Sequence, residues 1–309
     1  MAHLMIISRV VGEYVRQAVT TGRGLDNKLF VETAYRVLFK REPDAEGVGL
    51  LTQKLESKEM NKVNVLGVLL KSEEFHVVQG LPIHPLEALH SSRVTLIQKH
   101  LPEAKIIVDL GGGSTLHPEG ALLGLGYPHH PTEVTIIDLP PEERMLSSAD
   151  TSDTYVTEAG IRVRYLYRSM TDLSAIADES VDMVFSGESI EHITEEDGEI
   201  VCREAYRVLK SGGYFCLDTP NAALTRIQSP KEFIHPEHKV EYRIPELREK
   251  LERWGFTIAE EKGLCQMPNS FKSGVFDSRE MSLQRGIFDS AEMCYLFYLK
   301  AIKPGSTNP

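Results

Sequence analysis

The stretch IIVDLGGG, residues 106–113, constrains the fold more than any other. A short continuous apolar run with no alternation reads as a strand buried on both faces, as in a parallel sheet. It ends in Gly111, Gly112 and Gly113, which let the backbone turn sharply and approach a ligand closely. Further apolar runs follow at EVTIID, VRYLY, VDMVF, YFCLD and CYLFYLKAI, with helical stretches between most of them. Strands alternating with helices imply crossover connections and a mainly parallel α/β sheet.

The run EVTIID ends in Asp138, about twenty-five residues after the glycines. An acidic residue at the end of a second strand is placed to bind the two hydroxyls of a ribose. Two cofactor types fit that geometry, a dinucleotide and S-adenosylmethionine. The dinucleotide fingerprint wants GxGxxG, whereas here an acid precedes the first glycine, as Asp109-x-Gly111-x-Gly113.

At these residues the chain resembles the class I S-adenosylmethionine-dependent methyltransferases, and the resemblance runs on in order through RSMTDLSAIADESVDMVFSGESIEHI, EAYRVLKSGGYFCLDTPN and HPEHKVEYRIPELREKLERWGF. It implies a Rossmann-like, seven-stranded sheet with the last strand antiparallel. It further implies that Asp109, Gly111 and Gly113 serve the methionine end, Asp138 with Leu139 the ribose, and Ser169 and Met170 the adenine edge. Thr115 stands where many members have a third glycine, and Ser169 where many have Asp, with Asp172 nearby as a substitute or a helix cap.

GESIEHI, residues 187–193, sets Glu188, Glu191 and His192 just past a buried strand, where open α/β sheets gather their catalytic groups. Methyl transfer to a hydroxyl needs an acceptor held in line and a base or metal to take up or acidify its proton. Three readings stand. The carboxylates open a helix and suit its positive N-terminus. Or His192, with Glu191 assisting, is the general base. Or Glu188, Glu191 and His192 hold a divalent ion. Downstream, IHPEHKVEY offers His235 and His238 three apart. The combined pattern resembles the metal-dependent small-RNA 2′-O-methyltransferases, which implies Glu188, Glu191, His192 and His238 as ligands of Mg²⁺ or Mn²⁺. In metal-free relatives HPEH is also common, so the two histidines have an equal reading as loop hydrogen-bonders.

Residues 1–78 read as helices, with Phe30, Ala34, Val37 and Leu38 at helical spacing and Val65, Leu66, Leu69 and Leu70 toward a core. The frame AYRVLFKREPDAEGVGLL with KSEEF resembles a small helical module of bacterial surface-associated proteins and glycan-modifying enzymes. That resemblance implies a packing or docking role, through a partner or a second copy, and no chemistry; together with the acidic charge it motivates a sugar or glycan hydroxyl as the expected acceptor. Residues 79–91, with Pro82 and Pro85, read as a linker, and 92–309 as the methyltransferase domain.

A formal net charge of -11 argues against a polynucleotide partner, since phosphate contacts need a basic field. Scattered Cys202, Cys216, Cys265 and Cys294 form no metal spacing and suit a reducing compartment. The start, MAHLMIISRVVGEYVRQ, lacks the pattern of a secretion signal, and no apolar run is long enough to span a membrane, so the expected location is cytoplasmic. The segment 266–292 is longer than a tight connection needs and reads as a lid or an oligomer contact. Two further functions stay open beside glycan O-methylation: RNA 2′-O-methylation and a non-catalytic cofactor-binding scaffold.

Overall fold

A computed structural model describes residues 26–78, 83–114, 117–140 and 154–305. The chain divides into two compact units, Met1–Glu87 and Ala88–Pro309. Thr115 and the amino-terminal start of the helical module lie outside the described residues.

The first unit is helical: α1 (Asn27–Phe39), α2 (Ala45–Glu56), α3 (Lys62–Lys71) and α4 (Glu73–Val78). Each of the first three begins where a short polar side chain satisfies an orphan amide. Asp26 accepts from the Leu29 N–H, Asp44 from Gly47, and Asn61 exchanges bonds with Asn64. The apolar stripe of α1 is Phe30, Val31, Ala34, Tyr35, Leu38 and Phe39, packed on Val65, Leu66 and Phe75. Val37 is only half-buried, because the buried stripe runs through Val31 and Tyr35 instead.

Helix α5 (Pro85–His100) starts inside the stretch read as linker. Pro85 suits a first helical turn, where its missing N–H is not needed, so the proline that reads as a breaker begins the helix. The second unit then follows with β1 (Ile106–Leu110), α6 (Ala121–Gly124), β2 (Glu133–Asp138), β3 (Thr154–Val156), β4 (Arg162–Tyr167), β5 (Val181–Gly187), α7 (Glu195–Val208) and β6 (Leu209–Pro220). It closes with α8 (Ala222–Gln228), α9 (Ile244–Arg253), β7 (Thr257–Gln266), α10 (Pro268–Ser273), α11 (Arg279–Leu283), β8 (Ile287–Phe288) and β9 (Cys294–Ile302).

Among the described residues, all strands lie in one sheet, ordered β3-β4-β2-β1-β5-β6-β9-β7-β8. The central pairs β4–β2, β2–β1, β1–β5 and β5–β6 are parallel, and β9 is antiparallel to both β6 and β7. The mainly parallel sheet with an antiparallel last strand is as expected, but nine strands stand among the described residues in place of seven. β3 and β8 are three- and two-residue additions, one at each edge. Each pairs with backbone groups that an edge would otherwise leave open, and neither is long enough to show a strand period.

Order reverses at β1 and β5, so their carboxyl ends open a crevice, the usual seat of ligands in such sheets. The core under the crevice is mainly apolar, with Val108, Leu110, Ile137, Val184, Leu217 and Phe297 all buried. The four cysteines are buried and unpaired. Among the described residues, no helix is long and apolar enough to cross a membrane.

Candidate active site

A cavity of about 670 Å³ fills the crevice, within the range of small-molecule sites. One wall is the glycine loop. The Gly111 N–H donates to the Ile137 carbonyl at 2.7 Å, folding the loop onto β2. Asp138 then accepts from the Gly113 N–H at 2.8 Å and the Leu139 N–H at 2.7 Å. Gly111 has φ of +69°, and a Cβ there would lie 2.6 Å from that of Ser189. Only glycine permits that backbone and that approach. Ser189 sits so close because its hydroxyl donates to the Leu110 carbonyl at 2.7 Å, tying the end of β5 to the end of β1.

Gly111, Gly113, Asp138, Leu139, Ser169 and Met170 all line the cavity. The Ser169 hydroxyl is 2.8 Å from that of Thr171, so local bonding engages it. Asp172 does not line the cavity; it accepts from the Ser174 N–H and pairs with Arg168, stabilising a turn.

Asp109 is placed differently from the other residues expected at the cofactor. It is buried beneath the loop, not in the cavity wall, and a Cβ on Gly112 would lie 2.0 Å from its Oδ2. Burial pushes its carboxyl up to about 8, and the Leu122 amide offsets only part of that. Its Oδ2 has no hydrogen-bond partner among the described residues. Asp109 supports the loop from below and does not reach the cavity.

GESIEHI does not open a helix. Ile190–His192 is a single 3₁₀ turn, and α7 starts afterwards, capped by Thr194 with Glu195, Glu196 and Asp197 in its first turn. Glu188 adopts a left-handed φ of 48°, a conformation that costs a non-glycine residue on the order of 1–3 kcal/mol. The turn therefore splays the three side chains instead of stacking them on one face. Glu188 stays in the cavity wall and pairs with Arg93 at 2.7 Å. Arg93, from α5, also binds the buried Asp218 through Nε at 2.8 Å. Burial raises the Asp218 carboxyl to about 6 although Arg93 pulls it down. Glu191 turns away from the cavity, is 1% exposed, and accepts from the Thr219 hydroxyl at 2.9 Å. Burial, followed by the charge of Glu188, pushes its carboxyl up to about 8. Neither a base acting on substrate nor a ligand beside His192 is available from Glu191 in this position.

His192 lies in the cavity wall with Glu188, Ser189 and Ile193. The Lys239 and Val240 N–H groups both donate to the Glu191 carbonyl, at 2.8 and 3.2 Å, and clip the loop after α8 onto the turn. That clip brings His235 and His238 against His192, with ring centroids 5.8 and 5.0 Å away. His238 is buried, and its Nδ1 lies 3.1 Å from the buried carboxylate of Glu241. Burial, then the two neighbouring histidines, lowers the His192 pKa below its usual value. The donor atoms that converge here are those of His192, His235 and His238, within 4.8 Å of one another. Glu188 and Glu191, expected as ligands with His192 and His238, are directed elsewhere by Arg93 and Thr219. Sequence reasoning did not find Arg93, which lies 125 residues from Asp218 and carries no local signal. Nor did it place Ser189, although small residues after a strand end hint at close packing.

Comparison with known proteins agrees with this architecture. Residues 108–217 match a methyltransferase domain family, and residues 17–78 match a domain family of unknown function (DUF4214). A ubiquinone biosynthesis O-methyltransferase of Xanthomonas axonopodis pv. citri is 32% identical over 142 residues, covering 45% of this chain and 54% of that protein. A methyltransferase from Mycolicibacterium smegmatis is 32% identical over 113 residues, covering 35% of this chain and 42% of its own. The chain thus spans about half the length of the curated relatives it matches. A solved S-adenosylmethionine-dependent methyltransferase of Thermotoga maritima superposes with a TM-score of 0.51 at 17% identity, covering 71% of this chain and 91% of that one. With the glycine loop, the acid-ended second strand and the reversed sheet order in one domain, residues 108–217 carry a methyltransferase domain, and the unit around them has the fold of the class I S-adenosylmethionine-dependent methyltransferases.

Proposed function

We propose that the chain transfers a methyl group from S-adenosylmethionine to a hydroxyl oxygen of a sugar or glycan-type acceptor. The observation that carries this reading is the position of His192, in the wall of the same cavity that holds the glycine loop and Asp138. The cavity volume and the approach that Gly111 permits both suit the cofactor. When bound, S-adenosylmethionine supplies an electrophilic methyl group on a sulfonium.

The chain's own residues have separable tasks. Asp138, in the cavity wall at the end of β2, accepts from ribose hydroxyls. Met170 gives the adenine an apolar edge, and Gly111 and Gly113 admit the methionine end. Glu188, fixed by Arg93, orients polar groups of the acceptor. His192 acts on the hydroxyl proton, directly or through an ion. Oxygen as the receiving atom is supported by the likeness to O-methyltransferases. The glycan class is motivated by the helical module's resemblance and by the net charge of -11, which disfavours a polyanionic acceptor.

The test is methyl transfer from labelled cofactor to sugars, phenols and RNA, with and without a chelator. Sugar hydroxyls should take up label, and His192→Ala should lower kcat by roughly 10²–10⁴-fold while cofactor affinity is kept. Transfer to RNA alone, or to phenols alone, would overturn the glycan assignment. Tight cofactor binding without turnover on any acceptor would leave a cofactor-binding scaffold.

A further inference from the structure

We propose that His192, His235 and His238 form a three-imidazole site for a borderline divalent transition ion such as Zn²⁺. The three donors come from separate pieces of chain: His192 from the turn after β5, and the other two from the loop after α8. They meet because two backbone N–H groups of that loop bind one carbonyl, that of Glu191. Their nitrogen atoms lie within 4.8 Å of one another. Tetrahedral ligation at about 2.0–2.1 Å needs nitrogens about 3.3 Å apart. The site must therefore close by about 1.5 Å, a movement that ring rotation supplies. His235 can make it: it is exposed, and its Nδ1 is held only by a 3.3 Å bond from the Glu237 N–H.

The surroundings fit ligation better than simple ring packing. Metal-bound histidines generally place their second nitrogen on a carboxylate or carbonyl, which fixes the tautomer. His238 does so through Nδ1 to Glu241 at 3.1 Å, which leaves Nε2 for an ion. Glu241 is itself held by the Thr225 hydroxyl at 2.5 Å and the Ile234 N–H at 2.9 Å. His192 has a bond to the Glu237 backbone that does the same for its ring.

Three nitrogens without a carboxylate in the first sphere select zinc, cobalt, nickel or iron over Mg²⁺ or Mn²⁺. That choice departs from the mixed carboxylate set the sequence pattern implies. Three protein ligands also leave a fourth position open, as in catalytic zinc sites. Because His192 borders the cavity, an acceptor hydroxyl entering that position would lose its proton more easily. The inference uses the placement of the three rings, and it stands or falls independently of the acceptor.

The full chain, stripped with chelator, is titrated with Co²⁺, whose visible absorption reports tetrahedral nitrogen ligation. One equivalent should give the spectrum, and Zn²⁺ should displace it. His235→Ala should weaken Co²⁺ affinity at least about 10-fold, Glu241→Gln about 10-fold as a supporting-shell change, and Glu188→Gln should leave it unaltered. Calorimetry with S-adenosylhomocysteine on each variant shows that the fold is intact and reads the cofactor site separately. No cobalt spectrum, a spectrum indifferent to His235→Ala, or one abolished by Glu188→Gln would overturn the site. A bound ion in a protein that methylates nothing would instead count against the proposed reaction.

Discussion

On one side of the cavity the chain presents mainly backbone. Gly111 and Gly113 turn on amide bonds to Ile137 and Asp138, and almost nothing there depends on a long side chain. On the other side it presents side chains held by other side chains: Glu188 by Arg93, Arg93 by Asp218, and His238 by Glu241. A backbone wall is fixed by local sequence and tolerates little change in residue type. A side-chain wall is assembled from distant segments, so its chemistry can vary without rebuilding the sheet. This difference suits a domain whose cofactor is constant and whose acceptor is not.

The sharpest test of the side-chain wall is Arg93→Ala. The guanidinium has 13% side-chain exposure and bridges Glu188 to an Asp218 carboxylate with none. Removing it leaves buried charge uncompensated, which costs about 3–5 kcal/mol. Urea unfolding should record that loss, and Arg93→Lys should recover only part, since an ammonium is a single point charge without the guanidinium's planar spread of donors. A loss under about 1 kcal/mol would mean that the network is not structural.

Beneath the backbone wall, Asp109 predicts a smaller and pH-dependent effect. Its folded pKa of about 8 lies above the value near 3.9 in an unfolded chain. Between those limits the native state holds a proton that the unfolded state has released. Stability from this group is therefore full below about pH 4 and falls as pH rises toward 8, by up to about 1.4 kcal/mol per unit. Asp109→Asn removes the titration. The variant should gain on the native protein by about 2–4 kcal/mol between pH 5 and pH 8 in urea melts. Parallel pH profiles would show that the buried carboxyl is neutralised in some other way.

How much of each wall is legible in the sequence follows from how it is built. The glycine loop and Asp138 lie in contiguous motifs with fixed spacing, and the structure sets both in one cavity wall; the strand order carries no such local signal. Asp109 belongs to the same motif, yet whether an acid faces a ligand or the underside of a loop depends on three-dimensional packing. In GESIEHI, helical spacing puts Glu188, Glu191 and His192 on one face. The left-handed Glu188 and the 3₁₀ turn break that spacing, and no residue type in the stretch announces it. Arg93 is silent for a different reason: its partners are reached only through the fold. The edge strands β3 and β8 escape because strands this short have no period to read.

Asp138→Ala bears on the backbone wall from the ligand's side, and its effect should be smaller. Two hydroxyl bonds to a carboxylate contribute about 1.5–3 kcal/mol in all once exchange with water is counted. Affinity for S-adenosylhomocysteine should therefore fall roughly 10–100-fold in calorimetry. The same carboxylate also accepts from Gly113 and Leu139, so part of the loss would come from a loosened loop. Asp138→Asn separates the two contributions. An amide oxygen can take up one backbone bond, while its NH₂ cannot accept from ribose. If the loop dominates, Asn should restore most of the affinity; if direct ribose contact dominates, Asn and Ala should be alike. An unchanged affinity in both variants would mean that neither the loop bonds nor a ribose contact of the acid at the end of β2 carries affinity, and that the ribose is held elsewhere in the cavity.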